Sequence, residues 1–268
     1  MRNTWLAIVC FLLIGVIKLP LEQRGATLLR EEGSLPSAGN FRLRDDLGQL
    51  AFAATLGGLR SLVASMTYLQ AFTAFERSNW AQVESLNSLT TQLQPRFYGY
   101  WDDAATRMAY DAASFYLYDK SRPALYRNQI YRRNFERGIQ FAEEGVRELP
   151  KDRRLHERLA ELYFRLVGTP DQKLLYPPDY RRAGEHYLES YLNGGLPKNR
   201  RFAAYAWARV PDAPDLWQKA YDLLKETHAT GYRSPTSVAT LKELEVKLNI
   251  PPEKRLNEPV PPPPSVPR

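Results

Sequence analysis

Three histidines, His156, His186 and His228, are the only imidazoles in 268 residues. Glu185, His186 and Glu189 would bring a carboxylate and an imidazole within one helical turn, the spacing an acid–base pair or a metal site needs. No HExxH motif accompanies them, no second histidine stands near in sequence, and the lone cysteine, Cys10, is far away. A hydrolase built on this face is one reading, and an exposed helical face is the plainer one. His156 falls at a packing position and reads as structural. The chain has no phosphate-binding Walker loop, dinucleotide fingerprint or Gly-x-Ser-x-Gly elbow. The acidic pairs Asp102–Asp103 and Glu143–Glu144 are adjacent, so their side chains diverge around a helix. The expectation is a protein that is not an enzyme, with no catalytic residue, metal or cofactor.

A second kind of chemistry is electrostatic. Lys120, Arg122, Arg127, Arg132, Arg133 and Arg137 are interleaved with Tyr126, Tyr131 and Phe135. Basic and aromatic residues in alternation suit an anionic lipid surface, an acidic glycan or a nucleic acid. The net charge of +7 and pI near 9.4 favour the same partners. Asp119 and Glu136 dilute the run and Pro123 interrupts it, so a solvated insertion is equally open.

The elements that must position these residues begin with residues 5–17, thirteen apolar residues in succession. As a helix they cover about 20 Å, against a hydrocarbon core of about 30 Å. Lys18 can snorkel and Leu19, Pro20 and Leu21 lengthen the stretch. Arg2 before the run and the absence of a small-x-small cleavage site after it favour an uncleaved signal anchor, with a cleaved signal or a core helix as alternatives. The expected organisation is an anchor at 1–21, a tether at 22–46, a helical domain at 47–250 and a proline-rich tail at 251–268. That tail holds eight prolines and is expected to be disordered or polyproline II. The location implied is the inner (cytoplasmic) membrane, single-pass, with the main domain outside the cytoplasm. An anchored protein of this kind is not expected to bind nucleic acid.

Within the domain, apolar residues recur at three- and four-residue steps. They predict helices at 47–77 (interrupted at Gly57–Gly58), 80–93, 97–118, 134–149, 154–167, 180–192, 201–210, 214–228 and 237–248. No convincing strand is expected.

The helices carry a repeated punctuation. Trp101, Ala104, Ala105 and Met108 stand at steps of three, one and three, and His156, Leu159, Ala160 and Tyr163 repeat those steps; each set starts six residues after a proline, Pro95 or Pro150. The partner helix has Gly138, Ala142 and Gly145 before Pro150, small residues that allow close crossing. This pattern resembles the tetratricopeptide repeat, in which helix pairs stack into a solenoid. The match lies at Pro95, Trp101 and Ala105, at Ala142 and Pro150, and at Leu159, Ala160 and Tyr163; Ala183 and Tyr187 resemble a third second-helix. Extra residues after Asp111 and after Val167 make the repeats degenerate, and Thr67, Gln70 and Asn87 occupy apolar places of the first pair. Residues 56–64, 93–97 and Trp101 also resemble a group of bacterial membrane-anchored repeat proteins, which implies location and fold but no activity.

The fold class expected is therefore all-α, an anchor helix followed by a tetratricopeptide-like solenoid. The resemblance implies a concave groove lined by first helices, holding Asp102, Thr106, Ala109 and Tyr110 from one pair and Arg154, Glu157, Glu161 and Phe164 from the next. A scaffold or adaptor in the bacterial envelope would bind a protein or peptide partner there. The alternative is binding to anionic lipid or acidic glycan through residues 120–137.

Overall fold

A computed structural model of the protein describes residues 59–165, 167–168 and 174–262. The expected anchor, the tether and the first residues of the domain lie outside these, as do residues 263–268. Among the described residues no helix is long and apolar enough to cross a membrane. The fold is all-α: α1 (Arg60–Glu76), α2 (Trp80–Leu93), α3 (Tyr98–Thr106), a π-helical segment (Arg107–Ala112), α4 (Ala113–Tyr118), α5 (Ala124–Glu148), α6 (Arg153–Phe164), α7 (Tyr180–Leu192), α8 (Pro197–Trp207), α9 (Pro214–Ala229) and α10 (Pro235–Lys247). Helices adjacent in sequence pack on one another: α1 on α2, α3 and α4 on α5, α6 on α7, α7 on α8, α8 on α9 and α9 on α10.

The stretch from Tyr98 to Tyr118 is one helical rod with a π segment in its middle, and the sequence contains the reason. Its core-facing residues are Trp101, Ala104, Ala105, Met108, Ala109, Ala112 and Ala113, a repeat of four. In an α-helix four residues turn about 400°, so such a stripe drifts about 40° at each step. The wider i→i+5 turn of the π segment takes up that drift, and the stripe stays on α5 from Trp101 to Ala113.

The stripe is small because α5 comes close. A methyl group on Gly138 would lie 2.5 Å from the Ala109 Cβ and 2.7 Å from the Ala105 carbonyl oxygen; one on Gly145 would lie 2.8 Å from the Trp101 Cβ. Gly184 of α7 sits as closely against the Trp207 indole of α8. Around these contacts one apolar cluster runs from Trp80 through Phe135, Phe141 and Leu159 to Ala183. A second, around Tyr205, Leu216, Leu224 and Leu244, joins α8, α9 and α10.

Several boundaries differ from expectation. α5 begins at Ala124 rather than at residue 134, so most of the basic insertion is helical; Pro123 stands at its N-cap and Tyr131 and Phe135 are buried with the later turns. α6 ends at Phe164 instead of running to Val167, because Val167, Gly168, Thr169 and Pro170 are poor helix formers. There Val167–Gly168 (β1) pairs antiparallel with Leu174–Tyr176 (β2), a minimal hairpin where no strand was expected. α8 starts at Pro197, a favoured first helical residue. After α10, Pro252–Lys254 makes a 3-10 turn and Arg255 takes polyproline II dihedrals. Leu256 packs on the second cluster while its N–H donates to the buried Glu245 carboxylate at 2.8 Å.

Helix propensity alone favours Gly138→Ala by about 1 kcal/mol. The contacts with Ala105 and Ala109 involve backbone atoms that cannot rotate away, and overpacking costs about 1–3 kcal/mol. Urea unfolding of Gly138→Ala is expected to show a net loss of up to about 2 kcal/mol; a gain would mean that the helices are not in close contact here.

Candidate functional site

The two proline-led sets converge on one local bond. The Trp101 indole Nε1–H donates to the Pro95 carbonyl at 2.7 Å, and His156 Nε2 lies 2.9 Å from the Pro150 carbonyl. In each case the first helix of a pair reaches back six residues to the chain leaving the preceding helix. A carbonyl only accepts, so His156 carries its proton on Nε2. In the neutral ring Nδ1 is then an acceptor, and it lies 3.0 Å from His186 Nδ1 of α7. His186 Nδ1 therefore donates, leaving its Nε2 unprotonated.

No spacing pattern joins these two histidines, thirty residues apart. Tyr163 stacks on His186, donates its hydroxyl to Glu143 and accepts from Arg182 Nη1 at 3.1 Å. Burial, reinforced by His156 and then Arg182, lowers the His186 pKa to about 4; burial and the Glu143 bond hold the Tyr163 hydroxyl well above its ordinary range. His186 is thus a neutral, interior group bridging α6 and α7. Glu185 points away into solvent and Glu189 accepts from Asn193. Among the described residues no group of three or more His, Cys, Asp or Glu could hold a metal ion.

Some of the residues expected in the groove form a ladder that links α1, α3, α6 and α8. Asp102 of α3 accepts from Arg158 Nε of α6 at 2.6 Å, and Arg158 also donates to Glu161 at 2.8 Å. Glu157 of α6 pairs with Lys198 of α8 at 2.8 Å and accepts from Asn199. At the other end Tyr68 of α1 donates to Asp103, which also pairs with Arg107. Arg154 folds onto Asp152 and the Tyr98 ring, and Phe164 packs edge-on against Tyr180 and Tyr187. Thr106 Oγ1 is buried without a partner. Asp102 and Glu157 thus tie neighbouring helices together through Arg158 and Lys198, while Glu161 braces Arg158 within α6.

Tyr110 does something different. It lies in the π segment at a cleft of about 560 Å³, also lined by Phe75, Trp80, Asp111, Phe115 and Arg165. The Trp80 ring meets Phe75 at 5.5 Å, edge-on, and Phe115 at 5.6 Å. Arg165 lies over the Tyr110 ring at 4.4 Å. Burial raises the Asp111 pKa, with Arg107 opposing. A π turn flags this cleft, and its sequence signal is the four-residue repeat across Trp101–Ala113.

The basic insertion is mostly neutralised within the chain. Arg122 pairs with Asp119 at 2.9 Å, Arg127 donates to the Leu117 carbonyl, and Arg133 and Arg137 both reach Glu84 of α2. Arg137 also stacks on Phe141 at 4.0 Å. Lys120 and Arg132 are the two of the six that are exposed without such a partner among the described residues.

The depressed His186 pKa sets a pH dependence. The unfolded ring protonates near 6.5 and the folded one only near 4. The unfolded state therefore binds more protons between these values, and stability is lost as pH falls from 6.5 towards 4. A shift of that size is worth at most on the order of 3 kcal/mol, less for a ring that is partly exposed. The stability difference between the protein and His186→Gln, from urea unfolding, is expected to shrink by about 2 kcal/mol between pH 7.5 and pH 4; a constant difference would contradict the assignment.

Comparison with protein-family models and with curated proteins finds no match for this chain.

Proposed function

We propose that this protein is a scaffold or adaptor whose stacked helix pairs form a degenerate tetratricopeptide-like solenoid and whose inner face binds a protein or peptide partner. The observation that carries this reading is the bond made twice, Trp101 to Pro95 and His156 to Pro150, at equivalent steps of two successive helix pairs. A ring N–H returning to a proline six residues back in both pairs supports a repeated unit, and stacked units of this kind present extended surfaces for binding. The ladder through Asp102, Arg158, Glu157 and Lys198 supports it, because it joins the first helices of consecutive pairs along one face.

In this reading residues 1–21 anchor the chain in the inner membrane and the helical domain lies outside the cytoplasm, so that the surface is held beside the bilayer. The partner meets the exposed groups at the end of the ladder, around Tyr110, more than the charges already satisfied within it. The lipid or glycan alternative rests on Lys120 and Arg132, since the other four cations have partners in the chain. No catalytic role is proposed for any residue.

A photo-crosslinking amino acid placed at Tyr110 in the full-length protein is expected to capture a discrete partner in membranes. The same group at Lys219, exposed on α9, is expected to capture none. Equal labelling from both positions, or none from Tyr110, would contradict the reading.

A further inference from the structure

The cleft beside Tyr110 has a chemical character of its own. Its walls are aromatic: Trp80 stands between Phe75 and Phe115, and Phe115 is 46% exposed although it is a large apolar residue. An exposed phenylalanine against a tryptophan leaves π surface for a ligand. The charged groups in its lining are Asp111, Glu76 and Arg165, two carboxylates against one guanidinium.

Asp111 is half-buried, yet it accepts no hydrogen bond and forms no ion pair among the described residues. Arg107, one turn earlier, is directed to Asp103 and Tyr68 and lies over the Tyr68 and Phe75 rings. Burial disfavours the charged carboxylate more than the Arg107 charge favours it, in line with its raised pKa. Trp80 is only 6% exposed and its Nε1–H meets no acceptor, so a second polar group at this cleft is unsatisfied. Buried polar atoms are nearly always paired in folded proteins, and an unpaired one calls for a specific account.

Aromatic faces attract cations, most strongly where water is excluded. The cleft already demonstrates that preference, because Arg165 lies over the Tyr110 ring at its rim. We propose that the cleft receives the cationic side chain of a lysine or arginine on a bound partner segment, with Asp111 as its counter-ion and the Trp80 and Phe115 rings as its walls. This deepens the partner-binding reading above: a segment running along the inner face would be anchored at this end by one basic residue.

The test uses the full-length protein in detergent and three capped tripeptides: acetyl-Gly-Lys-Gly-amide, the same peptide with norleucine, and the same peptide with glutamate. Saturation-transfer NMR is expected to give a signal at least fivefold stronger for the lysine peptide than for norleucine, and none for glutamate. Asp111→Asn should remove the advantage of lysine over norleucine, and Phe115→Ala should weaken both. Circular dichroism matching the parent protein, together with the exposed position of Phe115, guards against reading misfolding as lost binding. Equal signals for lysine and norleucine, a stronger signal for glutamate, a lysine preference that survives Asp111→Asn, or no signal from any peptide at millimolar concentration would each overturn the proposal. A partner still captured at Tyr110 in such a case would leave the scaffold reading standing while this one failed.

Discussion

The arrangement around the Tyr110 cleft depends on how closely α5 crosses the rod from Tyr98 to Tyr118. Gly138 meets Ala105 and Ala109 with no space for a methyl group, and Gly145 meets Trp101 in the same way. Two helix backbones that approach this closely leave no tolerance for a drifting stripe. The four-residue repeat and the π segment follow from that: the rod bends its own periodicity so that Trp101, Ala105 and Ala109 all stay against α5. The residues next to that contact, Tyr110 and Asp111, are thereby turned out at the edge of the crossing, where the cleft opens.

The remaining interactions are arranged around this crossing. Ring N–H groups of Trp101 and His156 satisfy carbonyls at the ends of the preceding helices, where backbone acceptors would otherwise lack partners. The charges of the ladder link first helices through partly exposed pairs, and such pairs contribute about 0–1 kcal/mol each. Their main effect is orientation, with the burial of Phe135, Phe141, Leu155 and Leu159 supplying most of the cohesion. The His156–His186 contact adds a pH-sensitive element to the same interface, since burial disfavours protonation of His186.

Much of the fold was legible from spacing. The positions of α2, α7, α9 and α10 follow from three- and four-residue steps closed by proline or glycine, and the small residues at 138 and 145 signalled the close crossing. The extension of α5 back to Ala124 was hidden because its first ten residues carry Arg127, Arg132 and Arg133, and the Glu84 partner of Arg133 lies on another helix. The β1–β2 hairpin was hidden because two- and three-residue strands show no period. For the site, spacing placed Asp102, Glu157 and Glu161 on one face but could not reveal that Arg158 and Lys198 already satisfy them. The pairing of His156 with His186 needs the stacking of α6 on α7, which no local pattern encodes. The cleft was half visible: Tyr110 was singled out, while Trp80, Phe115 and Asp111 come together only through the π turn.

The most direct test of the close crossing is whether a methyl group can be moved from one side of it to the other. Ala109→Gly removes the Cβ that a methyl at position 138 would strike, at an intrinsic helix cost of about 1 kcal/mol. Urea unfolding of the protein, of each single variant and of Ala109→Gly with Gly138→Ala gives the coupling between the two positions. The account predicts that the penalty of Gly138→Ala falls by about 1 kcal/mol or more when Ala109 is glycine. Additive penalties would show that α5 and the π segment do not meet there, and would remove the constraint on which the arrangement around the cleft rests.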